Sequence, residues 1–258
     1  MTVMTQTFGF PTSQPDGFVR ARIEADETKL LEATWSMQTI EAGPTRSSPE
    51  YDAYVDTTAG SSYDWSDELR FDKRTGQVAG FVLKVPEQAN IAEDIARTWI
   101  AVPKQSAGLV LEDRKTGFHL DPFDVRYFAP DGSALLALGA EQGPADAAST
   151  SVAIASDVEL LFQAGRYCGW LMRRPVAHLV VQPEDGTPGV DDARLHGLIS
   201  EYMALVVYPY IDRMSDRDPD MQAALQSLKA RAGVLDGGAA AGLVAVLERV
   251  LETFYLEY

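Results

Sequence analysis

The chain has one cysteine, Cys168, in 258 residues. No intrachain disulfide can brace it, so packing must supply its stability, an arrangement suited to a reducing cytoplasm. It is also short of base: 22 Lys and Arg face 38 Asp and Glu, a formal charge of −16. That imbalance repels phosphate backbones and anionic membranes, so direct binding of nucleic acid or a membrane is not expected. A basic protein is the partner such a surface favours, although solubility is the simpler use of the charge. No stretch reads as membrane-spanning. The most apolar window, 158–181, carries Glu159, Arg166, Arg173 and Arg174, too many charges to face lipid. The first ten residues, MTVMTQTFGF, lack the basic-then-apolar pattern of a leader. Also missing are a Walker A loop, a dinucleotide-binding glycine fingerprint, zinc-spaced cysteines, an EF-hand loop and the kinase motifs. No cofactor is therefore implied.

What is present is a hydrophobic fraction of 46%, enough for a real core. The pattern is hairpins first and helices last, so an α+β fold is expected as a single domain over 1–258, with a possible subdivision into a sheet-rich part, 1–185, and a helical part, 190–258. An antiparallel, hairpin-rich sheet occupies the N-terminal two-thirds. Residues 18–40 read as two strands joined at Ala25 to Thr28. Residues 41–67 read as a long loop with at most a short strand near Tyr54. Residues 68–85 are the clearest hairpin, because Asp72 can open a type I turn and Gly76 can supply a positive φ. The spacing Asp113 to Gly117 repeats that turn chemistry and suggests another hairpin between GLVLE and FHL. A helix is expected after Asn90, with Ile91, Ile95 and Trp99 on one face. A further hairpin turns at Ala129-Pro130-Asp131-Gly132.

The organising element is expected to be a central buried helix near 156–174. Ser156 and Glu159 have capping-box spacing, apolar residues recur at helical intervals, and Pro175 provides the stop. Short strands at 152–155 and 176–182 flank it. The C-terminal segment reads as about three helices, at 191–213, 219–232 and 239–257, with Asp218-Pro219 and Gly233 marking the middle one.

Chemistry-bearing patterns are sparse. His119, Asp121 and Asp124 form the best metal-like or acid–base cluster, while a turn-capping role for Asp121 before Pro122 is the simpler reading. Asp192 and His196 are one helical turn apart, which makes a satisfied surface histidine or half of a dyad. Cys168 reads as a packed, inert thiol. Arg166, Arg173 and Arg174 would make a small anion site if exposed together. The segment 49–67 interleaves Tyr51, Tyr54, Tyr63 and Trp65 with Asp52, Asp56, Asp64 and Asp67. From Glu41 to Asp72 eight acids face two arginines. Aromatics supply interface area and acids pair with a basic partner, unless the rings tuck back onto the sheet. The leading expectation is an acidic protein-binding module, an immunity or inhibitor protein that covers a basic toxin or enzyme and has no catalytic residues. The alternative is an enzyme or small-molecule binder with a pocket between sheet and helices that uses His119, Asp121 and Asp124.

Overall fold

A computed structural model of the chain describes residues 7–11, 17–24, 30–44, 46–61, 66–89, 91–105, 108–115, 117–181 and 191–256. Much of the stretch expected to be a central helix is buried. That stretch is a β-hairpin: β13 (Val158–Gln163) and β14 (Arg166–Arg173) pair antiparallel from Val158↔Met172 to Gln163↔Arg166. The two-residue loop is Ala164 at φ 50° and Gly165 at φ 77°, both left-handed, as a type I′ hairpin turn requires. The apolar run hid its period because both faces of the strands are covered. Val158, Leu160, Phe162, Trp170 and Met172 enter the main core, whereas Leu161 and Leu171 enter a second cluster on the opposite face. A strand buried on both sides shows no polar alternation and resembles a buried helix in sequence.

Mixed α and β structure with mostly antiparallel strands, the expected class, is observed, in two sheets and six helices among the described residues. The larger sheet runs β8 (Lys104–Gln105), β12 (Ser149–Ala155), β13, β14, β1 (Thr7–Pro11), β2 (Phe18–Glu24) and β9 (Gly108–Leu111). The hairpin of β10 (Val125–Phe128) and β11 (Ala134–Leu138) joins it through β11 and β14. Gly169 of β14 permits that pairing, since a Cβ there would lie 2.5 Å from the Ala137 carbonyl oxygen. The second sheet is β3 (Thr34–Trp35), β4 (Thr39–Ala42), β7 (Val78–Lys84), β6 (Glu68–Asp72) and β5 (Thr58–Ser61). Helix α2 (Glu93–Ile100) covers the second face of the large sheet with Ala96 and Trp99, and the Trp99 indole donates to the Gly143 carbonyl at 2.9 Å.

The β6–β7 hairpin matches expectation: Asp72 Oδ1 accepts from the Arg74 and Thr75 amides at 2.9 and 2.6 Å, and Gly76 has φ 80°. Asp113 makes a similar local turn, accepting from the Lys115 amide at 2.9 Å, but no second hairpin follows among the described residues. β9 pairs with β2, and the His119 amide donates to the Pro11 carbonyl. The two runs read in residues 18–40 do not pair with each other either: β2 joins β1 and β9, whereas β3 pairs with β4 inside the second run, Trp35 opposite Ile40; the expected turn at Ala25 to Thr28 lies outside the described residues. The segment expected as a loop contains α1 (Tyr51–Thr57) and β5. Instead of a strand at 176–182 there is a 3₁₀ turn, Pro175–His178, followed by an isolated bridge from Leu179 to Trp35.

The C-terminal part holds four helices where about three were expected. The first breaks at Val206 to Pro209 into α3 (Ala193–Leu205) and α4 (Tyr210–Ser215), since proline cannot continue a helical hydrogen-bond ladder. Helix α5 (Pro219–Ala232) begins as read, with the Asp218 carboxylate accepting from the Asp220 and Met221 amides, and ends at Gly233. Helix α6 (Gly238–Tyr255) completes the layer. Leu195, Ile199, Leu225, Leu228, Leu243 and Leu247 from these helices share one core cluster with both sheets.

A candidate ligand cleft at the sheet–helix junction

Three chain reversals meet where the small sheet, the β10 strand and the end of α3 come together. Backbone bonds tie them: Val85 N–H to the Gln38 carbonyl at 2.8 Å, Arg126 N–H to Gln88 at 2.7 Å and Tyr208 N–H to Glu87 at 2.9 Å. Between them lies a cleft of about 640 Å³ walled by Met37 to Thr39, Lys84 to Gln88, Pro122 to Asp124, Arg126, Tyr202, Val206 and Tyr208. That size is ordinary for a small-molecule site.

Arg126 is 5% exposed. One terminal nitrogen donates to the Pro86 carbonyl at 2.6 Å, and the other to the Met203 and Val206 carbonyls at 2.8 and 2.6 Å. The latter two lie at the C-terminal end of α3, where the helix dipole is negative and carbonyls lack internal partners. No carboxylate of the described residues forms an ion pair with Arg126, and its buried Nε–H has no partner. Burial lowers its pKa to about 10, against the attraction of Tyr202 and Glu87, so it stays charged at neutral pH. Burial likewise raises the Tyr202 phenol to about 12. Glu87 and Asp124 are exposed, and the Asp124 carboxylate accepts from the Ala140 amide at 3.1 Å.

The residues singled out from sequence are mostly elsewhere. His119 and Asp121 do meet, at 2.8 Å, but at the surface, and Asp124 is turned toward Ala140 and the cleft. Among the described residues no group of three or more His, Cys, Asp or Glu could hold a metal ion. Asp192 caps α3 and pairs with Arg194, so His196 pairs instead with Asp191 at 2.7 Å. The anion site of three arginines does not form: Arg173 binds Glu159 at 2.5 Å, Arg174 binds Asp157 at 2.6 Å, and Arg166 lies over the Phe18 ring. Asp157 is also bonded to His178 at 2.9 Å.

In the acidic segment Asp52 and Asp56 are exposed on α1, while the rings turn inward. Tyr51 donates to Glu68, and Tyr54 lies beneath the Arg70 guanidinium, with its phenol raised by burial. Tyr63, Asp64 and Trp65 lie outside the described residues. Asp67 cannot be a surface contact: it is fully buried, held by its amide to Leu120 and by Oδ1 to the Lys84 amide. Sequence reasoning missed Arg126, because a lone arginine in an alternating strand reads as solvent-facing. No local signal announces that the end of α3, some 80 residues later, closes over it. Comparison with known proteins finds no matching family model, no matching curated protein and no matching solved structure.

Proposed function

We propose that this protein binds a small molecule in the cleft between the small sheet, β10 and α3. The observation that carries the reading is the cleft itself, about 640 Å³ with a mixed lining and a buried guanidinium that forms no ion pair with a carboxylate of the described residues. It preserves the pocket between sheet and helices expected from sequence, with Asp124 as the one shared residue. Glu87 and Asp124 are exposed on its lining beside the apolar side chains of Met37, Val85, Phe123 and Val206, a mixture that suits the holding of a guest. The single half-buried thiol and the absence of any possible disulfide fit a cytoplasmic setting. No helix of the described residues is long and apolar enough to cross a membrane. Fluorescence titration with phenylnaphthylamine, a neutral apolar probe, tests the cleft. Saturable one-to-one binding that Val206→Trp abolishes is expected, and unsaturable binding, or binding that the plugged variant retains, would overturn the proposal.

A second reading, recognition of a basic protein by an acidic module of the immunity or inhibitor kind, is favoured by the exposure of Asp52 and Asp56 on α1, a helix with no buried residue. The inward turn of Tyr51 and Tyr54 removes two of its expected aromatic anchors. Asp52→Ser with Asp56→Ser should weaken capture of the basic partner more than Glu112→Ser with Glu141→Ser, which removes the same charge from other exposed positions. Equal weakening by both pairs would leave only bulk charge.

A further inference from the structure

We infer that the molecule taken by the cleft is an amphipathic organic anion, one acidic head on an apolar body, an inference that rests on the ligand-binding reading above. The floor and the mouth of the cleft differ in charge. At the floor, the Arg126 guanidinium is buried and meets only carbonyl oxygens, from Pro86, Met203 and Val206. A helix C-terminus contributes about half a negative charge, so the guanidinium charge is only partly offset at the floor, and beyond those carbonyls and Tyr202 the carboxylate that attracts it is the exposed Glu87. At the mouth, Glu87 and Asp124 are exposed, and water and salt screen their fields. Charges in the low-dielectric interior act more strongly than solvated ones at similar range. The interior of the cleft is therefore positive in a chain whose net charge is −16. A neutral or cationic guest gives that arrangement no use, whereas a carboxylate, sulfonate or phosphate head completes it. The walls supply the other half of the ligand: Met37, Val85, Phe123, Val206 and Tyr208 present apolar and aromatic surface. Gln38 and Gln88, both exposed on the lining, are uncharged positions at which the potential can be changed without touching the core.

Two fluorescent probes with related bodies separate the two levels of the argument: anilinonaphthalene sulfonate, which carries one negative charge, and phenylnaphthylamine, which carries none. Wild-type protein should bind the sulfonate at one site, with decanoate but not decanol displacing it. Gln38→Glu with Gln88→Glu, isosteric and at exposed positions, should raise the sulfonate Kd roughly tenfold and leave the neutral probe unchanged, as expected for charge alone. Arg126→Met should abolish sulfonate binding; because it also uncaps α3, its far-ultraviolet dichroism is compared with wild type, and the glutamine variants decide the matter if it unfolds. Saturable binding of both probes, with sulfonate affinity indifferent to all the charge changes, overturns the anion assignment while the cleft stands. Saturable binding of neither probe overturns the cleft and the anion assignment together.

Discussion

At Asp67 a carboxylate has been taken out of water with one oxygen bonded to the Lys84 amide at 2.8 Å and the other, Oδ2, buried without a partner. Burial raises its pKa from 3.8 to about 7, against the Lys84 amide bond, which lowers it. The Tyr167 hydroxyl, also buried without a partner, is raised by its own burial and by the Asp67 charge. The folded state therefore holds a proton that the unfolded chain has lost. This contribution is fully present below the unfolded value near 3.8, and it is lost as pH rises through about 7. The shift corresponds to an order of magnitude of 4 kcal/mol at most. Asp67→Asn should therefore be more stable than wild type at pH 8 by about 1–3 kcal/mol and show a smaller advantage at pH 5, measured by urea denaturation at both. An advantage that grows toward acid pH would contradict this. Cys168 makes a second residue-scale case. Its Sγ donates to the Leu161 carbonyl at 3.4 Å, and burial pushes the thiol up to about 12. Iodoacetamide at pH 8 should label it at least about a hundredfold more slowly than the unfolded chain; equal rates would place the thiol at the surface. Its packed position against the second cluster was legible from the apolar run around it, although the element that carries it was misread.

The β13–β14 hairpin shows how local signals compete at the scale of one element. Ser156 and Glu159 have the spacing of a capping box, yet Ser156 Oγ donates to Glu32 at 3.0 Å, and Glu159 is a buried strand residue bonded to Ser151 and Arg173. The overlooked signal is Ala164-Gly165, whose two positive φ values close the hairpin. A β-carbon at Ala164 is tolerated in that region at some cost, and asparagine is better suited to it. Ala164→Asn should raise stability by about 0.5–1 kcal/mol. Gly165→Val should lower it by more than about 1 kcal/mol, because a branched residue is strained at positive φ, and a Cβ there would already lie 3.0 Å from the Thr7 carbonyl oxygen. Thermal melts of both variants check the pair; equal melting temperatures would remove the type I′ account. The β6–β7 and β10–β11 hairpins were legible because their turn residues act within a few positions, as Asp72 does on Thr75.

For the molecule as a whole, a charge of −16 is a source of self-repulsion. The Glu159–Arg173 pair, whose carboxylate is fully shielded from solvent while the arginine is partly exposed, is screened less by salt than the exposed acids are. Raising sodium chloride from about 10 to about 200 mM shortens the screening length from about 30 Å to under 10 Å and should raise the melting temperature. A fall would mean that surface ion pairs outweigh the net repulsion. The sequence by itself determined the class, the β6–β7 and β10–β11 hairpins, the start of α5 and the acidity, since each depends on composition or on residues a few positions apart. Tertiary structure alone decided that the apolar run near 158–173 is two strands, because covering both faces erases the period that distinguishes strand from helix. It also decided where the cleft lies. Arg126 becomes a buried cation only when the carbonyls of Pro86, Met203 and Val206 close around it, and no local pattern encodes a meeting of groups 40 to 80 residues apart.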